Sequence, residues 1–150
     1  MFSKPRRHVE CVFVHCSDSD VPSHDNTATI RKWHVEENGW SDIGYHYFIT
    51  KDGELHFCRD IERTPAAQGK KYNPGSIAIC LSGRHKFTEI QFDTLRELCE
   101  RIQNSYYSCI PFFEHNKVSK GKTCPNFRLC NVLDIDTKGF FKRNISKGLK

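Results

Sequence analysis

The sequence predicts an α/β protein of a single domain, with a central mixed β-sheet flanked by about three α-helices. Three observations carry that prediction. Ser76-Ile77-Ala78-Ile79-Cys80-Leu81 is a continuous apolar run, the pattern of a strand buried on both faces. Phe92, Leu95, Leu98, Cys99 and Ile102 recur at helical spacing, giving the clearest amphipathic helix in the chain. The order of elements is strand, helix, hairpin, strand, helix, strand-like segment, short helix, and it suits a sheet with helices packed on it. A length of 150 residues fits one core, and no internal repeat or low-complexity linker divides it.

Residues 9–16 read as a buried strand. The polar stretch Asp18 to Asn26, with Pro22, reads as a loop. A helix is expected over 27–38, with Ile30 and Trp33 on its inner face, Asn26 or Thr27 as its cap and Gly39 as its stop. Gly44 to Thr50 is expected to be a strand, turning at Lys51-Asp52-Gly53 into its partner Glu54 to Cys58. Two prolines and two glycines make 64–75 a loop before the apolar strand at 76–81. Thr88 and Gln91 form a capping box for the amphipathic helix, which ends near Ser105 to Tyr107. A short apolar segment at 110–113 leads into His115, and Lys117 to Lys122 is a polar loop. Pro125 is expected to open a final helix of about ten residues. The core spans about residues 9–136, and the tail at about 138–150 is expected to be flexible.

Composition narrows the function classes. No stretch approaches the roughly 18 apolar residues of a membrane span. No uninterrupted h-region of about 7–15 apolar residues follows the basic N-terminus, so synthesis in the cytoplasm is expected. The net charge of +5 is spread along the chain, apart from Lys4 to Arg7 and the Lys-rich stretches 117–122 and 138–150. It suits an anionic partner, and direct nucleic-acid binding is not expected. The eight cysteines show no CxxC pair, and with no secretory signal they read as reduced thiols, mostly buried.

The chemistry concentrates at His15, which ends the run Val12-Phe13-Val14, at His115, and at Cys124 in Lys122-Thr123-Cys124-Pro125-Asn126-Phe127. Two imidazoles and a thiolate make a three-ligand set for one Zn2+. Such a set leaves the fourth tetrahedral position open, as a catalytic zinc requires. The softness of the donors favours zinc over other divalent metals.

These segments, with Ile30-Arg31-Lys32-Trp33-His34, Gly39-Trp40-Ser41-Asp42-Ile43-Gly44-Tyr45-His46, Lys51-Asp52-Gly53 and Tyr72-Asn73, form an ordered series over about residues 10–130. In that order the chain resembles the zinc-dependent type 2 N-acetylmuramoyl-L-alanine amidases, relatives of the peptidoglycan recognition proteins, and most of all the small phage lysozyme-amidases. The resemblance implies that fold, with His15, His115 and Cys124 as zinc ligands. It also implies a catalytic Tyr45 beside the metal and a Lys122 that assists at the transition state. The implied reaction is hydrolysis of the amide between N-acetylmuramic acid and L-alanine of the stem peptide. Gln68 departs from the pattern, standing where many members have histidine in the loop before Tyr72-Asn73.

Single residues also have plainer readings. His46 is expected to pack or hydrogen-bond near the site, and His34 to be structural. Trp33 and Trp40 read as packing anchors, and His8, His24, His56 and His85 have no supporting context. The competing function is a muropeptide-binding module, or a regulator of a phage RNA polymerase, that retains the metal site. Recognition-only relatives commonly lack the cysteine ligand, so the enzyme is favoured. A wall-cutting enzyme without a signal peptide fits a phage or prophage endolysin, bacteriolytic once released to the wall, for example by a holin. It is expected to act as a monomer.

Overall fold

The computed structural model describes residues 2–142. Five strands form one sheet: β1 (Cys11–Cys16), β2 (Tyr47–Ile49), β3 (Leu55–Phe57), β4 (Ser76–Leu81) and β5 (Phe112–Glu114). Their order is β3-β2-β4-β1-β5. The β2–β3 hairpin is antiparallel and every other pairing is parallel, so the sheet is mixed as expected. The apolar run at 76–81 is the central strand, and all six of its residues are buried.

Strand alternation sorts the two faces. Val12, Val14, Ile77, Ile79 and Leu81 belong to the larger core, together with Leu95, Leu98, Cys99 and Ile102 of the long helix α2 (Glu89–Asn104). On the opposite face Cys80 and Phe48 pack with Ile30 and Ile43. His15 alternates with Val14, so its side chain leaves the sheet away from α2.

Helix α2 starts at the expected capping box. The Thr88 side chain accepts from the Gln91 N–H, and the Gln91 side chain accepts from the Thr88 N–H. The first helix is more irregular than its spacing predicts. It is α-helical over Thr27–Arg31 (α1), capped by Asn26, and widens into a π-helical turn over Lys32–Glu37. The Asn38 N–H closes that turn on the Trp33 carbonyl, five residues back. Gly39 then takes φ +72°, a left-handed stop that suits glycine.

The third helix expected after Pro125 does not form, so among the described residues two α-helices flank the sheet instead of about three. Asn126 sits at φ +68°, outside helical geometry, and its amide donates to the Arg84 carbonyl at 2.8 Å. Among the described residues only a 3-10 turn, Leu129–Asn131, follows, with the Leu129 N–H on the Glu114 carboxylate. Leu129, Leu133 and Ile135 are nevertheless buried, so the segment packs without a regular helix. The tail is docked further than its composition predicts. Phe141 is 2% exposed and meets the Phe112 ring edge-on, and the Phe112 N–H donates to the Gly139 carbonyl. Residues 143–150, the rest of the expected tail, lie outside the described residues. No helix among the described residues is long and apolar enough to cross a membrane.

Candidate metal centre

His15 lies on β1, one residue before its end, between β4 and β5. His115 follows β5 directly, at the start of a 3-10 turn. Parallel pairing of β1 with β5 therefore brings both histidines to the same edge of the sheet. Their ring centroids are 4.4 Å apart. Cys124 returns to this edge because the Cys16 N–H donates to its Sγ at 3.1 Å, and the Asn116 N–H donates to its carbonyl at 3.0 Å. The donor atoms of His15, His115 and Cys124 lie within 4.8 Å of one another, a group among the described residues able to hold a metal ion.

The surroundings fit a dication. Burial, then the neighbouring His115, push the His15 imidazole down to about 3, so it stays neutral and keeps a lone pair. Burial and the Lys122 charge lower His115 as well. Hydrogen bonding to Cys16, and then burial, push the Cys124 thiol up; a coordinated metal reverses this, because a coordinating thiol is deprotonated. The outer nitrogens of the rings are also engaged. His15 Nε2 lies 2.8 Å from Gln68 Oε1, and His115 Nε2 lies 3.0 Å from Ser119 Oγ. Second partners of this kind are what metal-binding histidines characteristically carry.

Tyr45 stands beside the cluster, its ring 5.2 Å from that of His15. Burial holds its hydroxyl well above the ordinary tyrosine range, so it is neutral. Its position depends on Gly44, where a Cβ would land on the Ala66 carbonyl. Gly44 instead donates its N–H to His34 Nδ1 at 2.9 Å and accepts from the Ala66 N–H at 3.0 Å. His34 is thus a structural support, packed between Trp40 and Tyr45. His46 is buried, taking the Ala78 N–H on Nδ1 at 3.1 Å and setting Nε2 2.7 Å from the Arg63 carbonyl. Lys122 is exposed on the loop before Cys124 and close enough to His115 to lower its basicity.

Sequence reasoning missed three contributors: the Gln68 side chain, the Ser119 hydroxyl and the Cys16 N–H. Gln68 was visible only as a departure in a loop. Its contact with His15 spans 53 residues, and no local pattern announces it.

The family model for N-acetylmuramoyl-L-alanine amidase matches residues 5–127. The endolysin of Enterobacteria phage T3 is 35% identical over 134 residues, covering 84% of this chain and 86% of the relative. Among solved structures, the Ph2119 endolysin of Thermus scotoductus MAT2119 bacteriophage Ph2119 superposes with a TM-score of 0.73 at 22% identity, covering 87% of this chain and 84% of that one. A mutant of Drosophila PGRP-LB in complex with tracheal cytotoxin gives 0.67 at 21%, covering 82% and 78%.

Proposed function

Because the chain belongs to the N-acetylmuramoyl-L-alanine amidase family, we propose that it is a zinc-dependent phage or prophage endolysin. It would cut the amide between N-acetylmuramic acid and L-alanine of the stem peptide. The observation that carries this reading is the convergence of His15, His115 and Cys124 at one sheet edge, with Tyr45 and Lys122 beside them.

These three residues would hold one zinc ion, which when bound supplies an acidified water and a polarised carbonyl. Tyr45 contributes a neutral hydroxyl that orients the attacking water. Lys122 contributes a positive charge near the carbonyl oxygen, where negative charge develops as the amide is attacked. Gly44 and His34 keep the Tyr45 ring against His15. The tracheal cytotoxin complex of the PGRP-LB neighbour supports a muropeptide as the ligand of this fold.

Mass spectrometry of purified peptidoglycan incubated with zinc-loaded protein tests the reading. The expected products are free stem peptides with N-terminal L-alanine and intact glycan strands. Absence of peptide release across several wall types would sink the enzyme and leave a muropeptide-binding module. Release to the wall through a holin-type lesion belongs to the same proposal, and lysis only on co-expression with a holin would support it. Recruitment of a phage RNA polymerase, the regulatory partner of the resemblance, is tested separately by pull-down with purified polymerase.

A further inference from the structure

The Gln68 side chain lies inside the protein at 2% exposure, between two other buried residues, His15 and Ser76. Its Nε2 lies 2.6 Å from Ser76 Oγ, and Ser76 Oγ lies 2.7 Å from the Asn73 carbonyl oxygen. The loop itself is fixed, since Asn73 Oδ1 accepts the backbone N–H groups of Ala67 and Gln68 at 3.1 and 3.0 Å.

The direction of every proton in this chain follows from its last member. A carbonyl oxygen only accepts, so the Ser76 hydroxyl donates to Asn73. The Ser76 oxygen then accepts from Gln68, which turns the amide NH2 toward Ser76 and the amide oxygen toward His15. An amide oxygen also only accepts, so the facing His15 Nε2 carries the hydrogen. The neutral ring has one hydrogen, which leaves Nδ1 as the nitrogen with a free lone pair.

We propose that Gln68 is a positioning residue for the metal centre: anchored by Ser76 and the Asn73 carbonyl, it fixes His15 as the Nε2–H tautomer and aims Nδ1 at the metal. The departure from histidine at this position thereby has a function inside the site. A glutamine amide whose orientation is locked offers a permanent acceptor, which stays an acceptor at any pH. The inference rests on the reading of His15, His115 and Cys124 as a zinc site, but the tautomer exists in the metal-free protein and is measured there.

The test combines 15N NMR of the histidine rings in metal-free protein with zinc affinity by chelator competition, for wild type, Gln68→Leu, Gln68→Glu and Ser76→Ala. Wild type is expected to show His15 as a single Nε2–H tautomer. Gln68→Leu should lose that uniformity and bind zinc about 10–100-fold more weakly. Gln68→Glu keeps an acceptor toward His15 and should restore the Nε2–H form. Ser76→Ala frees the amide to flip, and should give a mixed tautomer population even if Gln68→Leu fails to fold. An Nδ1–H tautomer in the wild type, or wild-type zinc affinity in folded Gln68→Leu, overturns the proposal. Failure of wild type to bind zinc would remove the metal-site reading instead, while the tautomer would still decide the role of Gln68. Failure to release stem peptides with both measurements as expected would remove only the amidase reading.

Discussion

At the scale of single residues, the proposed function separates groups that would hold a metal from groups that would serve the reaction. His15, His115 and Cys124 present donors within 4.8 Å of one another, whereas Tyr45 and Lys122 approach from the side and from solvent. Replacing the second kind should leave the first intact. Tyr45→Phe keeps the ring that packs on His15 and His34 and removes only the hydroxyl. It is expected to bind zinc stoichiometrically and to release stem peptides on the order of 100-fold more slowly. Lys122→Ala should behave alike, with a loss of about 10–100-fold, since its charge is exposed and partly screened. Cys124→Ser should differ in kind, losing zinc and activity together. Zinc content by atomic absorption, read beside the rate of peptide release, checks all three. Loss of zinc in Tyr45→Phe would show that its hydroxyl builds the site rather than acting in it.

At the scale of elements, the parts most legible in the sequence are those stabilised by their own neighbours. β4 was readable because all six of its residues face protein, so no alternation interrupts the apolar run. α2 was readable from its capping box and its stripe of Leu95, Leu98, Cys99 and Ile102. His15, His115 and Cys124 were readable because each sits in a short distinctive segment. The helix expected after Pro125 was not, because distant partners decide that stretch: Asn126 turns left-handed to reach Arg84, and Glu114 claims the Leu129 N–H. Gln68 was missed for the same reason. Gln91 shows how one side chain can do both jobs. It completes the cap with Thr88 and also donates Nε2 to the carbonyls of Ser82 and Ile49, at 2.8 and 3.3 Å, tying α2 to the ends of β4 and β2. Gln91→Leu should therefore destabilise by about 2 kcal/mol, more than an exposed cap would cost, because the buried Ser82 carbonyl loses its donor, whereas the Ile49 carbonyl keeps the Ser82 N–H. Urea denaturation should show a lower midpoint at unchanged slope. A midpoint equal to wild type would mean that water takes over the Ser82 carbonyl at no cost.

At the scale of the whole molecule, the sheet is held at its centre by groups that acid can break. His46 joins β4 to the loop at Arg63, and burial pushes its imidazole down to about 4. The unfolded chain protonates this histidine near pH 6.5, while the folded protein resists until about 4. A depressed folded value means that the stabilisation is complete above about pH 6.5 and falls away as the pH drops toward 4, by about 3 kcal/mol in all. Thermal melts across that window should show the decline, and His46→Gln should make it shallower without removing it, because the buried His15 contributes over the same range.

Metal removal acts on a different part of the same architecture. The three ligands come from the end of β1, the turn after β5 and a loop 108 residues beyond Cys16, so a bound ion would staple three separate chain segments. The larger core between the sheet and α2 lies on the other face and contains none of them. The metal-free protein should therefore remain folded, but at a lower melting temperature. A ligand at about 1,000 times its dissociation constant stabilises by about 4 kcal/mol, or about 10 °C for a domain of this size. Calorimetry before and after dialysis against a chelator measures the drop, and adding back zinc should restore it at constant pH. Collapse of the fold on chelation would mean that the metal completes the core, and an unchanged melting temperature would mean that no metal was bound at these residues.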